Sequence, residues 1–289
     1  MLLLVAIIVL LSALYLLWRS RWGYPVDSIP PVLTYHKVTR FEFGGTWVPP
    51  GRFVSQLDYL LDRGVTFINE DRFLEALDGE RDERAREVLL TFDDGYGELL
   101  ERAVPALESR RIPAHIFVVT RFIGKENDWD LPLPGMRRRH LSESEMRDLS
   151  HRGFSFGSHT RTHRDLTRLD PDETREELSG SKGELEAIID RPVRSLSYPF
   201  GRFDSRVSGE ASAAGYEAAF SMYPPGPGAL LDPFGLRREA VYIIDTRGSL
   251  RRKLDRGPLF WLEDVKGRAI NRVAVLTPML KGNQFRSRE

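Results

Sequence analysis

Two short clusters hold most of the side chains in this chain that could do chemistry. Asp93 and Asp94 stand together in Leu90-Thr91-Phe92-Asp93-Asp94-Gly95, and His159 and His163 flank Thr160-Arg161-Thr162. Two carboxylates and two imidazoles offer a ligand set for a divalent metal with a base to spare, the minimum for metal-assisted hydrolysis. Taken singly, paired aspartates are more often a solvated turn or a helix cap, and two histidines four residues apart are more often ordinary surface residues. Here each cluster follows an apolar run, Val88 to Phe92 and Phe154 to Phe156, so both are expected at strand ends, and that conjunction favours a site.

The elements needed to position such clusters alternate along the chain. Strands are expected at Val32 to Tyr35, Val65 to Ile68, Val88 to Phe92, Ala114 to Val119, 153–157, 195–198, 217–221, 240–244 and 273–276. Helical spacing marks Phe53 to Leu61, 71–78, 99–109, Glu143 to Leu149, Asp172 to Ile189 and Ser205 to Ala214. Strands alternating with helices argue for an α/β fold with a barrel-like sheet, not a sandwich.

With these residues in order, the chain resembles the polysaccharide deacetylase family, the NodB-homology carbohydrate esterases of family 4. Thr91-Phe92-Asp93-Asp94-Gly95 resembles the family's first motif, His159-Thr160-Arg161-Thr162-His163 its histidine motif, and Tyr198-Pro199-Phe200-Gly201 its third. Pro31-Val32-Leu33-Thr34-Tyr35-His36-Lys37-Val38 is similar to the opening of the exopolysaccharide deacetylase branch, and the resemblance runs from roughly residue 30 to 260. It implies a distorted (β/α) barrel with functional residues at the carboxyl ends of the strands. It also implies Asp94, His159 and His163 as ligands of one divalent metal ion, with Asp93 as base. Zinc is the preferred ion for that set, although cobalt, nickel or manganese would also suit it. Tyr198, Pro199, Phe200 and Gly201 would line the sugar-binding groove, with a backbone N–H near Tyr198 as an oxyanion donor.

Two departures from the family pattern stand out. Many relatives carry an arginine two residues before the third-motif proline, where it steadies the catalytic aspartate; Ser197 occupies that place here, with Arg194 and Arg237 available elsewhere. The late Leu-x-His motif that supplies an acid in many relatives has no match, and Val273-Ala274-Val275-Leu276-Thr277-Pro278 imitates only its strand. All six histidines precede residue 164. His36, at the end of the first expected strand, is therefore the best substitute acid; His115 reads as packed in a strand, and His140 and His151 as peripheral.

Lys plus Arg and Asp plus Glu both number 42, so global charge points to no nucleic-acid partner, and Arg137-Arg138-Arg139 reads as a solvated loop. With no cysteine, any metal must sit on histidine and carboxylate. Residues 1–18 carry no charged side chain, and eighteen helical residues would span about 27 Å, close to a bilayer's hydrocarbon thickness. The expected organisation is a membrane anchor or uncleaved signal over residues 1–20, a tether over 21–30 and one catalytic domain over 31–289, with membrane lipid as a partner and single-pass placement in the cytoplasmic membrane. Arg19 and Arg21 would hold the domain on the cytoplasmic side, whereas the resemblance implies the extracytoplasmic side, which is the expectation adopted.

The expected reaction is hydrolytic removal of N-acetyl groups from an N-acetylhexosamine-containing polysaccharide or lipid-linked glycan. The alternatives are a membrane-tethered glycan-binding or assembly protein with little turnover, or a metal-dependent carbohydrate O-acetyl esterase.

Overall fold

The computed structural model describes residues 10, 12–16, 29–42, 45–79, 86–126, 138–222, 232–257 and 259–280, the last nine of these by backbone alone. In chain order its strands are β1 (Val32–Tyr35), β2 (Lys37–Val38), β3 (Trp47–Val48), β4 (Thr66–Ile68), β5 (Glu87–Phe92), β6 (His115–Val118), β7 (Ser155–Ser158), β8 (Ser195–Ser197), β9 (Ala218–Ser221), β10 (Leu236–Arg237) and β11 (Glu239–Ala240). Nine of them form one sheet in the order β10-β9-β8-β7-β6-β5-β1-β11, with β4 also on β5, while β2 and β3 pair separately. Every pairing is parallel. The ends of this path, β10 and β11, are separated only by Arg238. One five-residue stretch therefore pairs with β9 at one end and β1 at the other, and the sheet closes into a near-barrel.

The strands are short and buried on both faces, as expected where helices cover a parallel sheet. All six residues of β5 are buried. Val88, Leu90 and Phe92 pack with the helices in the main core, whereas Leu89 joins Val32, Phe117, Phe220 and Leu236 in a second cluster. Thr91 shares the parity of Leu89 and meets Thr34 of β1 at 2.9 Å between hydroxyl oxygens. Side-chain alternation carries that parity on to Asp93. The surrounding helices present apolar faces at helical spacing; Pro50–Asp62 buries Phe53, Leu57 and Leu60. Two of them start with reciprocal capping boxes, Ser142 with Glu145 and Asp170 with Glu173.

Several expectations need correction. Residues 273–276 lie within the helix Phe260–Leu280 and form no strand. Their β-branched content suits a strand, but the sheet is already closed through β10 and β11 and offers no edge to join. Among the described residues no helix is long and apolar enough to cross a membrane. The expected transmembrane helix, its lipid partner and the single-pass membrane placement are therefore withdrawn. Of residues 1–20 only 10 and 12–16 fall within the described residues, as helix; the rest of that proposed anchor, and most of the 21–30 tether, lie outside them. His140 is fully buried and stacked on Tyr96, with ring centroids 5.0 Å apart, so it is not peripheral. Arg138 and Arg139 pair with Glu42, Glu98 and Glu145, and so are more tied down than a solvated loop implies.

Candidate metal centre and active site

The site is built where strands end. β5 stops at Phe92 and delivers Asp93 and Asp94, β7 stops at Ser158 and delivers His159, β1 ends beside His36, and β8 ends beside Tyr198. Asp94 takes the left-handed conformation (φ 69°) and Gly95 follows it at φ 68°, so the chain turns sharply and two consecutive carboxylates reach one site. Among the described residues seven non-glycine residues have positive φ, and four of them, Asp94, Thr160, His163 and Phe200, belong to the three motifs. Each such residue costs of order 1–3 kcal/mol, held in place by its surroundings.

Asp94, His159 and His163 each offer a ligand atom, and these atoms all lie within 4.8 Å of one another. Asp94 Oδ1 is 3.6 Å from Nε2 of both histidines. That oxygen is buried with no hydrogen-bond partner, which a carboxylate tolerates poorly unless a cation fills the space. His159 Nδ1 donates to the Ser197 carbonyl at 2.7 Å, which fixes the tautomer and turns the Nε2 lone pair toward Asp94. Burial pushes the His159 imidazole down to about 4, with His163 adding to the effect against Asp93 and Asp94, so the ring is neutral, as a ligand must be. The donor set fits a divalent ion, and the three residues form a divalent-metal-binding triad.

Asp93 is 2% exposed and belongs to a different set of contacts. Arg238 grips it with two hydrogen bonds, 2.6 Å to Oδ1 and 2.8 Å to Oδ2, and also donates to the Ser197 hydroxyl at 2.7 Å. Burial pushes the Asp93 carboxyl up, but Arg238, His159 and His36 together outweigh it and hold the group well below the usual carboxylate range. With His159 neutral near pH 7, Arg238 is the principal cation in that balance. His36 Nε2 lies 3.8 Å from Asp93 Oδ2, and its side chain remains 21% exposed.

Arg238 answers the first departure from the family pattern. Ser197 is too short to hold Asp93 directly, and instead positions a guanidinium that arrives from the closing stretch of the sheet. The arginines singled out in the sequence sit elsewhere: Arg237 pairs with Glu239 and Asp264, and Arg194 with Glu217 and Asp71. Alternation explains the miss by one position, because neighbours on an extended chain face opposite ways.

The third motif divides in two. Tyr198 is fully buried, stacks on Phe203 with ring centroids 4.9 Å apart and donates its hydroxyl to the Phe234 carbonyl at 3.0 Å. Its N–H donates to Phe220 O at 3.0 Å and so is engaged within the sheet, not held toward an oxyanion. Pro199 is buried beneath the turn, while Phe200, half-buried, sets its ring edge-on to His163 at 4.9 Å between centroids. Gly201 packs so tightly that a Cβ would lie 2.6 Å from the Met222 nitrogen. His115 is fully buried and hydrogen-bonded to Ser155 at 2.8 Å and Ser195 at 3.0 Å, as its packed reading anticipates.

Comparison with known proteins agrees with this arrangement. A family model described as Polysaccharide deacetylase matches residues 80–219. YxkH of Bacillus subtilis (strain 168), which bears the name putative polysaccharide deacetylase, is 27% identical over 194 residues, 67% of this chain and 64% of its own length, so the chain spans somewhat less than two thirds of that relative. The poly-beta-1,6-N-acetyl-D-glucosamine N-deacetylase of Staphylococcus aureus (strain MRSA252) is 22% identical over 66% of this chain and 71% of its own. The deacetylase PplD of Streptococcus pyogenes, solved with acetate, superposes with a TM-score of 0.67 at 22% identity, over 78% of this chain and 97% of its own, and so shares the fold. The motifs at the strand ends and the metal-binding triad fall within residues 80–219, the segment that matches the polysaccharide deacetylase family model.

Proposed function

We propose that this chain is a metal-dependent hydrolase that removes N-acetyl groups from an N-acetylhexosamine-containing polysaccharide or glycan, within the exopolysaccharide deacetylase branch. One observation carries the reading: three converging ligand atoms stand beside a separate buried carboxylate that has its own counter-ion. In this reading Asp94, His159 and His163 hold the ion, with zinc preferred for two imidazoles and a carboxylate. Such an ion supplies a water acidified toward neutrality and a polarised substrate carbonyl.

The remaining work falls to the chain's own groups. Asp93, kept ionised by Arg238, accepts the proton of the attacking water as the oxygen adds to the amide carbon. His36, close to Asp93 and partly open to solvent, returns a proton to the departing nitrogen, so that the C–N bond breaks to give acetate and an amine. Phe200 offers an apolar surface to a sugar ring beside His163, while Tyr198, Pro199 and Gly201 hold the turn that presents it. The named activity of the Staphylococcus relative supports an amide of a hexosamine as the substrate class. The catalytic unit is assigned to residues 31–289, since β1 begins at Val32 and Asn271, in the last helix, donates to the Phe200 carbonyl at 3.1 Å.

Acetate release from matched N-acetylated and O-acetylated oligosaccharides, measured with metal content for the wild type and His159→Ala, tests the proposal. The expected result is N-acetyl cleavage by the wild type and loss of both metal and turnover in the variant. Cleavage of the esters alone would move the activity to O-deacetylation. No acetate from either substrate by metal-replete protein would overturn hydrolysis.

A further inference from the structure

We propose that Glu177 is a positioning residue for the metal centre: presented by a π-helical turn, its buried carboxylate sets the loop that carries His159 and His163. The inference rests on the metal-site reading given above. Between the two histidines the backbone passes through left-handed conformations at Thr160 (φ 65°) and His163 (φ 59°), a path that needs an external hold. Glu177 supplies one. It is 3% exposed. Its Oε2 accepts from the Arg161 N–H at 2.9 Å and the Thr162 N–H at 2.8 Å, and its Oε1 accepts from the Thr162 hydroxyl. Arg164 approaches the same Oε1 at 3.4 Å. One carboxylate thus gathers every main-chain N–H that lies between Thr160 and His163.

The turn that presents it is unusual. A continuous helix is expected across this region, but Glu176–Gly180 forms a π turn between the helices Pro171–Arg175 and Ser181–Ile189. Widened turns of this kind are frequent at functional sites. The carbonyls it displaces are satisfied from the side: the Ser181 hydroxyl donates to Glu177 O at 2.6 Å, and the Tyr216 hydroxyl donates to Leu178 O at 2.9 Å. Ser181 Oγ also lies 2.8 Å from Oγ of Ser158, the residue before His159, and Ser158 Oγ accepts the Thr160 N–H at 3.1 Å. The π turn and Ser181, which follows it, therefore hold the histidine loop at two points, through Glu177 at Arg161 and Thr162 and through Ser158 before His159. A glutamine in place of Glu177 would set an NH2 donor against one of these donors and could not accept all three.

The test compares Zn²⁺ and Co²⁺ affinity, by chelator competition, with the absorption spectrum of the Co²⁺ form and the melting temperature of the metal-free protein. Glu177→Gln is expected to weaken metal binding about 10- to 100-fold, the usual effect of losing a group that orients ligands, and to alter the Co²⁺ spectrum. Glu176→Gln, which removes only an exposed partner of the Arg161 side chain, should stay within about twofold of wild type on the same scale. A lower melting temperature with unchanged affinity and spectrum in folded Glu177→Gln would make Glu177 merely structural and overturn the inference. If Glu177→Gln does not fold, Thr162→Val carries the test, because it removes the hydroxyl that donates to Glu177 and accepts from Arg164 Nε at 3.2 Å, with Arg164→Met as the control for the second contact: weaker metal binding in Thr162→Val than in Arg164→Met supports the role, and equal or unchanged binding overturns it. Failure of the wild type itself to bind either metal would instead defeat the metal-site reading, a separate result.

Discussion

Replacing Arg238 with methionine removes the counter-ion of Asp93 while keeping an unbranched side chain of similar reach over Phe117 and Phe220, whose ring centroids lie 5.2 and 6.0 Å from the guanidinium carbon. Asp93 loses two hydrogen bonds and Ser197 a third, and at 2% exposure of Asp93 little water can replace them. Breaking one side of a buried ion pair costs about 3–5 kcal/mol. At roughly 2–4 °C per kcal/mol for a domain of this size, the melting temperature should fall by about 6–20 °C at pH 7. The sign of the pH dependence follows from Asp93. In the wild type its folded pKa is depressed, so its stabilisation is present above the unfolded value of 3.8 and lost as pH falls. In Arg238→Met burial acts unopposed by the guanidinium, the neutral acid is favoured, and the deficit should shrink toward pH 4. Denaturant unfolding of the chelator-treated protein at pH 7 and pH 4, with Asp93→Asn and the double variant, completes a cycle. The double variant should recover most of what Arg238→Met loses. A cost below about 1 kcal/mol at pH 7, or strictly additive effects, would refute the pairing as the main hold on Asp93.

Other outcomes follow from the same geometry. Asp93→Asn should lower turnover about 10²- to 10⁴-fold with metal content near wild type, and parallel loss of metal on elemental analysis would make Asp93 a ligand instead. His36→Gln should slow amide cleavage more than cleavage of activated esters, and unchanged amide turnover would remove it from the reaction. Glu70, buried against Ser195 and 3.6 Å from His115, has a carboxyl pushed up by burial to about 7 from 4.5, which costs stability progressively as pH rises between those values. Glu70→Gln should therefore stabilise by up to about 3 kcal/mol above pH 7 and by little near pH 4, with an equal gain at both pH values in thermal unfolding counting against that assignment. Gly157→Ala would set a Cβ 2.5 Å from His115 Nε2 and from the Phe117 ring, so a loss of at least 1–3 kcal/mol is expected, and a neutral substitution would contradict the packing there.

The parts of the site legible in the sequence are those that local pattern alone places at a strand end, whatever their distance from their partners. Asp94, His159 and His163 sit in two short motifs behind apolar strands, and local pattern alone sends each to a strand end. Arg238 escaped because nothing near it refers to Asp93; the two are 145 residues apart and meet only when the sheet closes. The sequence offers a basic pair, Arg237-Arg238, but no local pattern says which of the two turns toward Asp93. The π turn was illegible for a different reason, since a single widened turn leaves helical spacing almost intact over Asp172 to Ile189. The apolar run at 273–276 misled because its β-branched residues satisfy strand preference, while the count of available sheet edges, a global property, decides against it.

The way the sheet closes bears on how the enzyme comes into being. All three ligands are present once the chain has been made as far as His163, but the base acquires its counter-ion only when residues 236–240 dock between β9 and β1. That is the longest-range event in the barrel, and long loops close late. The supports of the site are therefore completed in order along the chain, and the hold on Asp93 comes last. The counter-ion of Asp93 is thereby coupled to completion of the barrel, whereas the groups that hold the three ligands, Glu177, Ser181 and the Ser197 carbonyl, all precede β10.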